Sequence, residues 1–322
     1  MRRQLLLLLI TFSFSLTVYA QSYYEEEIAL ETENGKLGGI LTMPNKGKKV
    51  PAVLIIQGSG PTDKDGNSAM LPGKNNSLKL LAESLAEAGI ASVRYDKRGM
   101  GLSAGAVMSE SDLSFDDFVF DANEFLTFLI KDKRFKKIGI AGHSQGSLIG
   151  MLISQKNDVN AFASIAGPSF TIDETLLMQL KANPYNPPQL LKEAESITAS
   201  LKKGIEVQEV SSLLQSVYRP SIQSFMMSWM KYDPSEEISK LEIPVLVING
   251  STDLQVHVED AQRLQISNEG SKLVIVKGMN HVLKDAPANP IENNATYSNP
   301  ELPLNKEFEQ EIVSFFLKNL KK

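Results

Sequence analysis

Residues 24–43 alternate apolar and polar side chains around Asn34-Gly35. An Asn-Gly pair between alternating runs predicts an antiparallel hairpin. The pattern then changes. Ala52-Val53-Leu54-Ile55-Ile56 is a continuous apolar run that ends in Gly58-Ser59-Gly60-Pro61. Such a run predicts a strand covered on both faces, as in a parallel sheet. Leu78, Leu81 and Leu85 predict a helix over 77–88, stopped at Gly89. Residues 90–95 read as a strand, and 114–131 as a helix. In that helix Ser114 with Asp117 resembles a capping box, and Phe118, Phe125, Leu126 and Leu129 share a face.

The alternation continues with a strand at 138–141, a helix at 145–155 and a strand at 161–166, and then stops. Residues 167–240 read as helices punctuated by Pro184, Pro187, Pro188 and Pro220. It resumes with strands at 245–249 and 273–276 and helices near 259–265 and 305–320. Strands alternating with helices predict an α/β fold with a mostly parallel sheet covered on both faces and the hairpin at one edge. An insertion in one crossover sits over the strand ends, where open α/β sheets bind ligands.

The first twenty residues stand apart. Arg2 and Arg3 precede an apolar run from Leu5 to Val18, and Val18-Tyr19-Ala20 offers small residues at a cut after Ala20. This predicts a signal peptide over 1–20, shorter than a membrane span, and a secreted or periplasmic protein with no stable membrane insertion after cleavage. The chain has 322 residues and no cysteine, which excludes disulfides, thiolate metal sites and a Cys nucleophile. A net charge of -5 argues against a nucleic-acid partner. Asn75-Asn76-Ser77 and Asn294-Ala295-Thr296 match the glycosylation sequon. Oligomeric state is not legible in the sequence.

Gly142-His143-Ser144-Gln145-Gly146 lies between a predicted strand and a predicted helix, the setting of a nucleophile elbow. The turn is so tight that the flanking positions need glycine, and it exposes the Ser144 hydroxyl at a helix N-terminus. A serine hydroxyl needs a base. The chain has only His143, His257 and His281. His143 sits within the elbow and reads as packing support, and His257 as the start of a helix. His281 follows the last predicted strand, in the order Ser, acid, His that elbow hydrolases use. Asp253 follows the strand at 245–249 and is the candidate acid, with Asp233 and Asp285 as fallbacks. Backbone donors for the oxyanion are expected from Gln145 and from Ser59, with Gly60 next. Asp63-Lys64-Asp65-Gly66 lacks the terminal Glu of a calcium loop. No metal or organic cofactor is implied, because Ser, His, Asp and backbone donors complete the chemistry.

With these residues the chain resembles the α/β-hydrolase superfamily over nearly all of its length after residue 20. Arg94-Tyr95-Asp96-Lys97-Arg98-Gly99-Met100-Gly101-Leu102-Ser103 looks like the D-x-R-G-x-G-x-S turn of many members. Gln57-Gly58-Ser59-Gly60-Pro61-Thr62-Asp63-Lys64-Asp65 is similar to a segment of a bacterial carboxylesterase branch close to the serine aminopeptidase-like hydrolases. The resemblance implies a Ser144–Asp253–His281 triad, a core over 21–167 and 241–322, and a helical cap over 168–240. Two departures stand out. Gln57-Gly58 replaces the His-Gly of many members, and Val256-His257 replaces a Val-Pro pair after the acid.

The expected reaction is hydrolysis of small or medium acyl esters through an acyl-serine. Gly58, Gly60, Met226 and Trp229 are candidates to line the substrate site, although Met and Trp at helical spacing serve packing first. An aminopeptidase is the nearest rival. It needs an acidic group for the substrate amine, with Glu193, Glu195 and Glu206 as candidates. An acyltransferase using the same triad stands beside it as a rival, and a binding protein on the same scaffold stands further off.

Overall fold

The computed structural model describes residues 22–45, 47 and 49–321. The signal peptide read at 1–20 lies outside the described residues. Eight strands form one sheet: β1 (Tyr23–Thr32), β2 (Gly35–Pro44), β3 (Val50–Ile56), β4 (Ala91–Tyr95), β5 (Phe135–His143), β6 (Ala161–Ile165), β7 (Val245–Gly250) and β8 (Lys272–Val276). Their spatial order is β1-β2-β4-β3-β5-β6-β7-β8. β1 with β2 and β2 with β4 are antiparallel, and every other pair is parallel.

The hairpin forms where the Asn-Gly pair predicts it, one residue out of the expected register. Thr32 pairs with Gly35, so Glu33 and Asn34 make the turn. Gly35 takes φ +106°, and a Cβ there would stand 2.8 Å from Gly105 O. β2 is buried on both faces despite its alternating sequence. The buried Arg94 of β4 helps explain this: it donates to Thr42 of β2 at 2.7 Å, to Glu25 of β1 at 2.8 Å and to Asp65 at 2.8 Å.

β3 shows why a continuous apolar run is required. Val53 and Ile55 join a core layer with helices α1 (Ser77–Glu87) and α11 (Lys306–Leu320). Ala52, Leu54 and Ile56 join the layer on the opposite face. That second layer is covered by α2 (Phe115–Lys131), α3 (Gln145–Ser154) and α9 (Val258–Ser267). Burying each such aliphatic side chain contributes about 1.5–3 kcal/mol. The capping box of α2 is complete: Asp117 N donates to Ser114 Oγ at 3.3 Å, and Ser114 N to Asp117 Oδ2 at 2.8 Å.

Between β6 and β7 run α4 (Ile172–Ala182), α5 (Pro188–Leu201), the short α6 (Gln215–Tyr218), α7 (Pro220–Trp229) and α8 (Pro234–Ser239). α8 packs on α3 and α9, so the return to the sheet begins inside the stretch expected as cap. A helix at Pro290–Ala295, α10, was not expected. Of the two sequons, Asn75 is buried, donating to Gly66 O and accepting from Ser77 N, whereas Asn294 is exposed. Among the described residues no helix is long and apolar enough to cross a membrane.

The turn after β4 is locked to α2 by Arg98 and Asp121, both almost fully buried, with Arg98 Nε 2.8 Å from Asp121 Oδ2. Asp121→Ala leaves that guanidinium without its main partner and is expected to cost about 3–5 kcal/mol in a urea melt. The paired change Arg98→Met with Asp121→Leu should cost far less. Equal losses in the two proteins would contradict this account.

Candidate active site

Ser144 sits between β5 and α3 at φ 54° and ψ -122°, a conformation L-residues avoid. Its N–H donates to Ile165 O at 2.9 Å, which anchors the turn on β6. The neighbouring glycines are there for clearance. A Cβ on Gly142 would lie 2.3 Å from Gly146 O, and one on Gly146 would lie 2.4 Å from Ile56 O. α3 is buried all round, so the elbow is held by the core on one side and presents Ser144 on the other. Three further non-glycine residues among those described have positive φ: Asn76 before α1, Ala166 after β6, and Leu283 two residues after His281.

Asp253 and His281 are brought together. His281 Nδ1 lies 2.8 Å from Asp253 Oδ2, with both side chains buried. The other carboxylate oxygen accepts from Gln255 N at 2.8 Å and Val256 N at 3.0 Å. Burial opposes the charge of Asp253, but His281 and these two amides outweigh it and hold the pKa below the ordinary value. Because a carboxylate only accepts, Nδ1 carries the proton and Nε2 of His281 is left free as a base.

The loops that carry Asp253 and His281 are sewn to each other. Thr252 Oγ1 donates to Met279 O and to Ala286 O, both at 2.9 Å. A Cβ on Gly250 would lie 2.0 Å from Met279 O, so this approach requires glycine. The fallback acids are engaged elsewhere. Asp233 caps α8 through Ser235 N, and Asp285 accepts from Asn305.

His143 packs against His281. Its Nε2 lies 2.8 Å from His281 O, and the two rings are 4.7 Å apart. A carbonyl can only accept, so Nε2–H is the donor. Burial, then the neighbouring His281, lowers the pKa of His143 to about 3, which keeps it neutral. His257 is exposed and caps α9 together with Asp260, apart from the Asp253–His281 pair.

A cavity of about 760 Å³ opens at Ser144 and Gln145. Ser59 and Gly60 from the loop after β3 line it, as do Met226 and Trp229 of α7. Trp229 also stacks on Phe115 at 5.3 Å, so it serves packing and lining at once. Gly58 is not among the lining residues: it backs onto the elbow, where a Cβ would stand 3.2 Å from Ser144 Cβ. The charged residues of the lining are Lys97, Arg98, Glu110 and Arg219. Glu110 is taken by Arg219 and Ser221, which hold its carboxyl below the ordinary range.

Lys97 belongs to the Arg94–Ser103 turn segment, and the sequence alone assigns it no role. Its ammonium, almost fully buried, donates to Gly58 O at 2.6 Å, Gly60 O at 2.9 Å and Gln145 Oε1 at 3.3 Å. Burial lowers its pKa from 10.5 to about 7. The nearby carboxylates are occupied, Asp96 by Lys64 and Asp121 by Arg98.

The family described as "Serine aminopeptidase, S33" matches residues 74–285, about two thirds of the chain and the whole run from α1 to the base loop. The chain belongs to that family. It is also 26% identical over 277 residues to Esterase EstD of Thermotoga maritima, an alignment that spans 82% of this chain and 61% of that protein. Among solved structures it is similar to Est1E from Butyrivibrio proteoclasticus with ferulic acid bound (TM-score 0.64, 20% identity, covering 92% of this chain and 100% of that one). The Pyrococcus furiosus esterase Pf2001 is similar as well (TM-score 0.55, 15% identity, covering 93% and 94%). These likenesses to solved structures carry the α/β-hydrolase fold.

Proposed function

We propose that the protein is a serine carboxylic-ester hydrolase with Ser144 as nucleophile, His281 as base and Asp253 as its orienting acid. Ser144 Oγ attacks the ester carbonyl and His281 Nε2 takes its proton. The tetrahedral oxyanion is met by Ser59 N–H and Gln145 N–H. Collapse expels the alcohol with the proton from His281 and leaves an acyl-serine. Water, deprotonated by His281, then releases the acid. Helices α4–α7 form a cap over the cavity. The basic and apolar start of the chain supports export, with residues 1–20 removed as a signal peptide.

The observation that carries the ester reading over the aminopeptidase one is the charge inventory of the cavity. An amine subsite needs an unpaired carboxylate, and the only carboxylate among the described lining residues, Glu110, is held by Arg219. Glu193 accepts from Ser211 N, Glu195 pairs with Lys181 and Glu206 accepts from Ser224; none of the three lines the cavity. The apolar lining suits an acyl chain, and the volume falls in the range of small-molecule sites.

The test is a chain-length series of p-nitrophenyl esters run beside aminoacyl p-nitroanilides, on the protein and on Ser144→Ala. Ester turnover that depends on Ser144, with anilide turnover at least a hundredfold weaker, is the expected outcome. Faster anilide turnover overturns the ester reading and leaves the nucleophile in place.

A further inference from the structure

We propose that Lys97 is a positioning residue that holds both halves of the oxyanion hole in register. This rests on the hydrolase reading above and extends it to a residue outside the triad. Among the described residues no peptide bond is cis, so the C=O and N–H of each unit point in opposite directions. Lys97 Nζ binds Gly58 O at 2.6 Å, which turns the N–H of the same unit, that of Ser59, away from Lys97. The next carbonyl, Ser59 O, accepts from Thr62 Oγ1 at 2.8 Å. The third, Gly60 O, is again bound by Lys97, and the residue that follows is Pro61, which has no N–H. Lys97 therefore sets the plane of the one peptide that presents Ser59 N–H.

The same ammonium also reaches Gln145 Oε1 at 3.3 Å, and Gln145 supplies the other expected donor. The loop after β3 and the start of α3 are thus tied through one cation. That cation is costly to bury and has no carboxylate bonded to it, so its three oxygen partners are what hold it there. Its stem runs past Phe118, whose ring centre is 5.1 Å from Nζ.

The experiment follows the rate at which a fluorophosphonate probe labels Ser144, by intact mass, on the full chain. Labelling needs the oxyanion donors but no knowledge of the substrate. Lys97→Met should fold and label about 100-fold more slowly, in line with the loss of one oxyanion donor. Lys97→Gln keeps a neutral donor for the carbonyls. It should label at least tenfold more slowly than the wild type but faster than the Met variant, and it decides the matter if Lys97→Met does not fold. On p-nitrophenyl butyrate the loss should fall on kcat with KM held within about threefold. Labelling within threefold of the wild type, or a loss carried by KM, overturns the proposal. Rapid, Lys97-dependent labelling without ester turnover sinks the ester reading and leaves the positioning role standing. A wild-type Ser144 that the probe does not touch sinks both.

Discussion

Ser144→Ala is expected to lower kcat for ester hydrolysis by about 10⁶-fold with almost no change in melting temperature. The hydroxyl does no structural work: the Ser144 side chain makes no cap bond at the start of α3, and the turn is held by its own N–H on Ile165 O. Alanine at φ 54° bears the same strain as serine. His281→Ala should be similarly damaging, and the double variant no worse than either single one, because the residues act in one proton transfer. Measured losses that multiply across the two substitutions would mean that His281 is not the base for Ser144.

Asp253→Asn is expected to lower kcat by about 10⁴-fold with KM little changed. The direction follows from the amides around it. Gln255 N and Val256 N both donate to Asp253 Oδ1, so an asparagine must place its oxygen there. Its NH₂ then faces His281 Nδ1, which has to become an acceptor. The ring proton moves to Nε2, and the atom that should take the serine proton is blocked. Near-normal turnover in Asp253→Asn would show that the acid loop is not what orients the base. A nitrogen NMR spectrum of the imidazole would report the tautomer change directly.

Local signals in the chain are decisive where one segment fixes the outcome. The unbroken run of β3, the complete capping box of α2 and the glycine-flanked elbow each depend on residues a few positions apart. The contact of Asp253 with His281 was legible from chain order together with the place of each residue after a predicted strand, which set Asp253 above Asp233 and Asp285. What escaped were arrangements that distant segments make jointly. Lys97 is one charge within a turn motif until β3, β4 and α3 enclose it. Arg98 and Asp121 look like ordinary charges 23 positions apart, and they meet only when the turn after β4 folds onto α2. Gly58 reads as part of the binding loop, and only the packed elbow shows that it clears room for Ser144. The helix α10 is a different miss. Asn289 caps it through Ile291 N, with Pro290 as its first residue, a start signal short enough to be taken for a turn.

The helices α4–α7 enter the chain between β6 and β7, which are hydrogen-bonded neighbours paired from Phe162 with Val245 to Ile165 with Ile248. A segment anchored on adjacent strands closes its loop at a cost that grows only with the logarithm of its length, about 0.6 kcal/mol per doubling. The sheet is therefore nearly indifferent to how much chain is spliced in at this point. A longer or shorter insert grafted between Ile165 and Val245 should leave the melting temperature of the sheet almost unchanged.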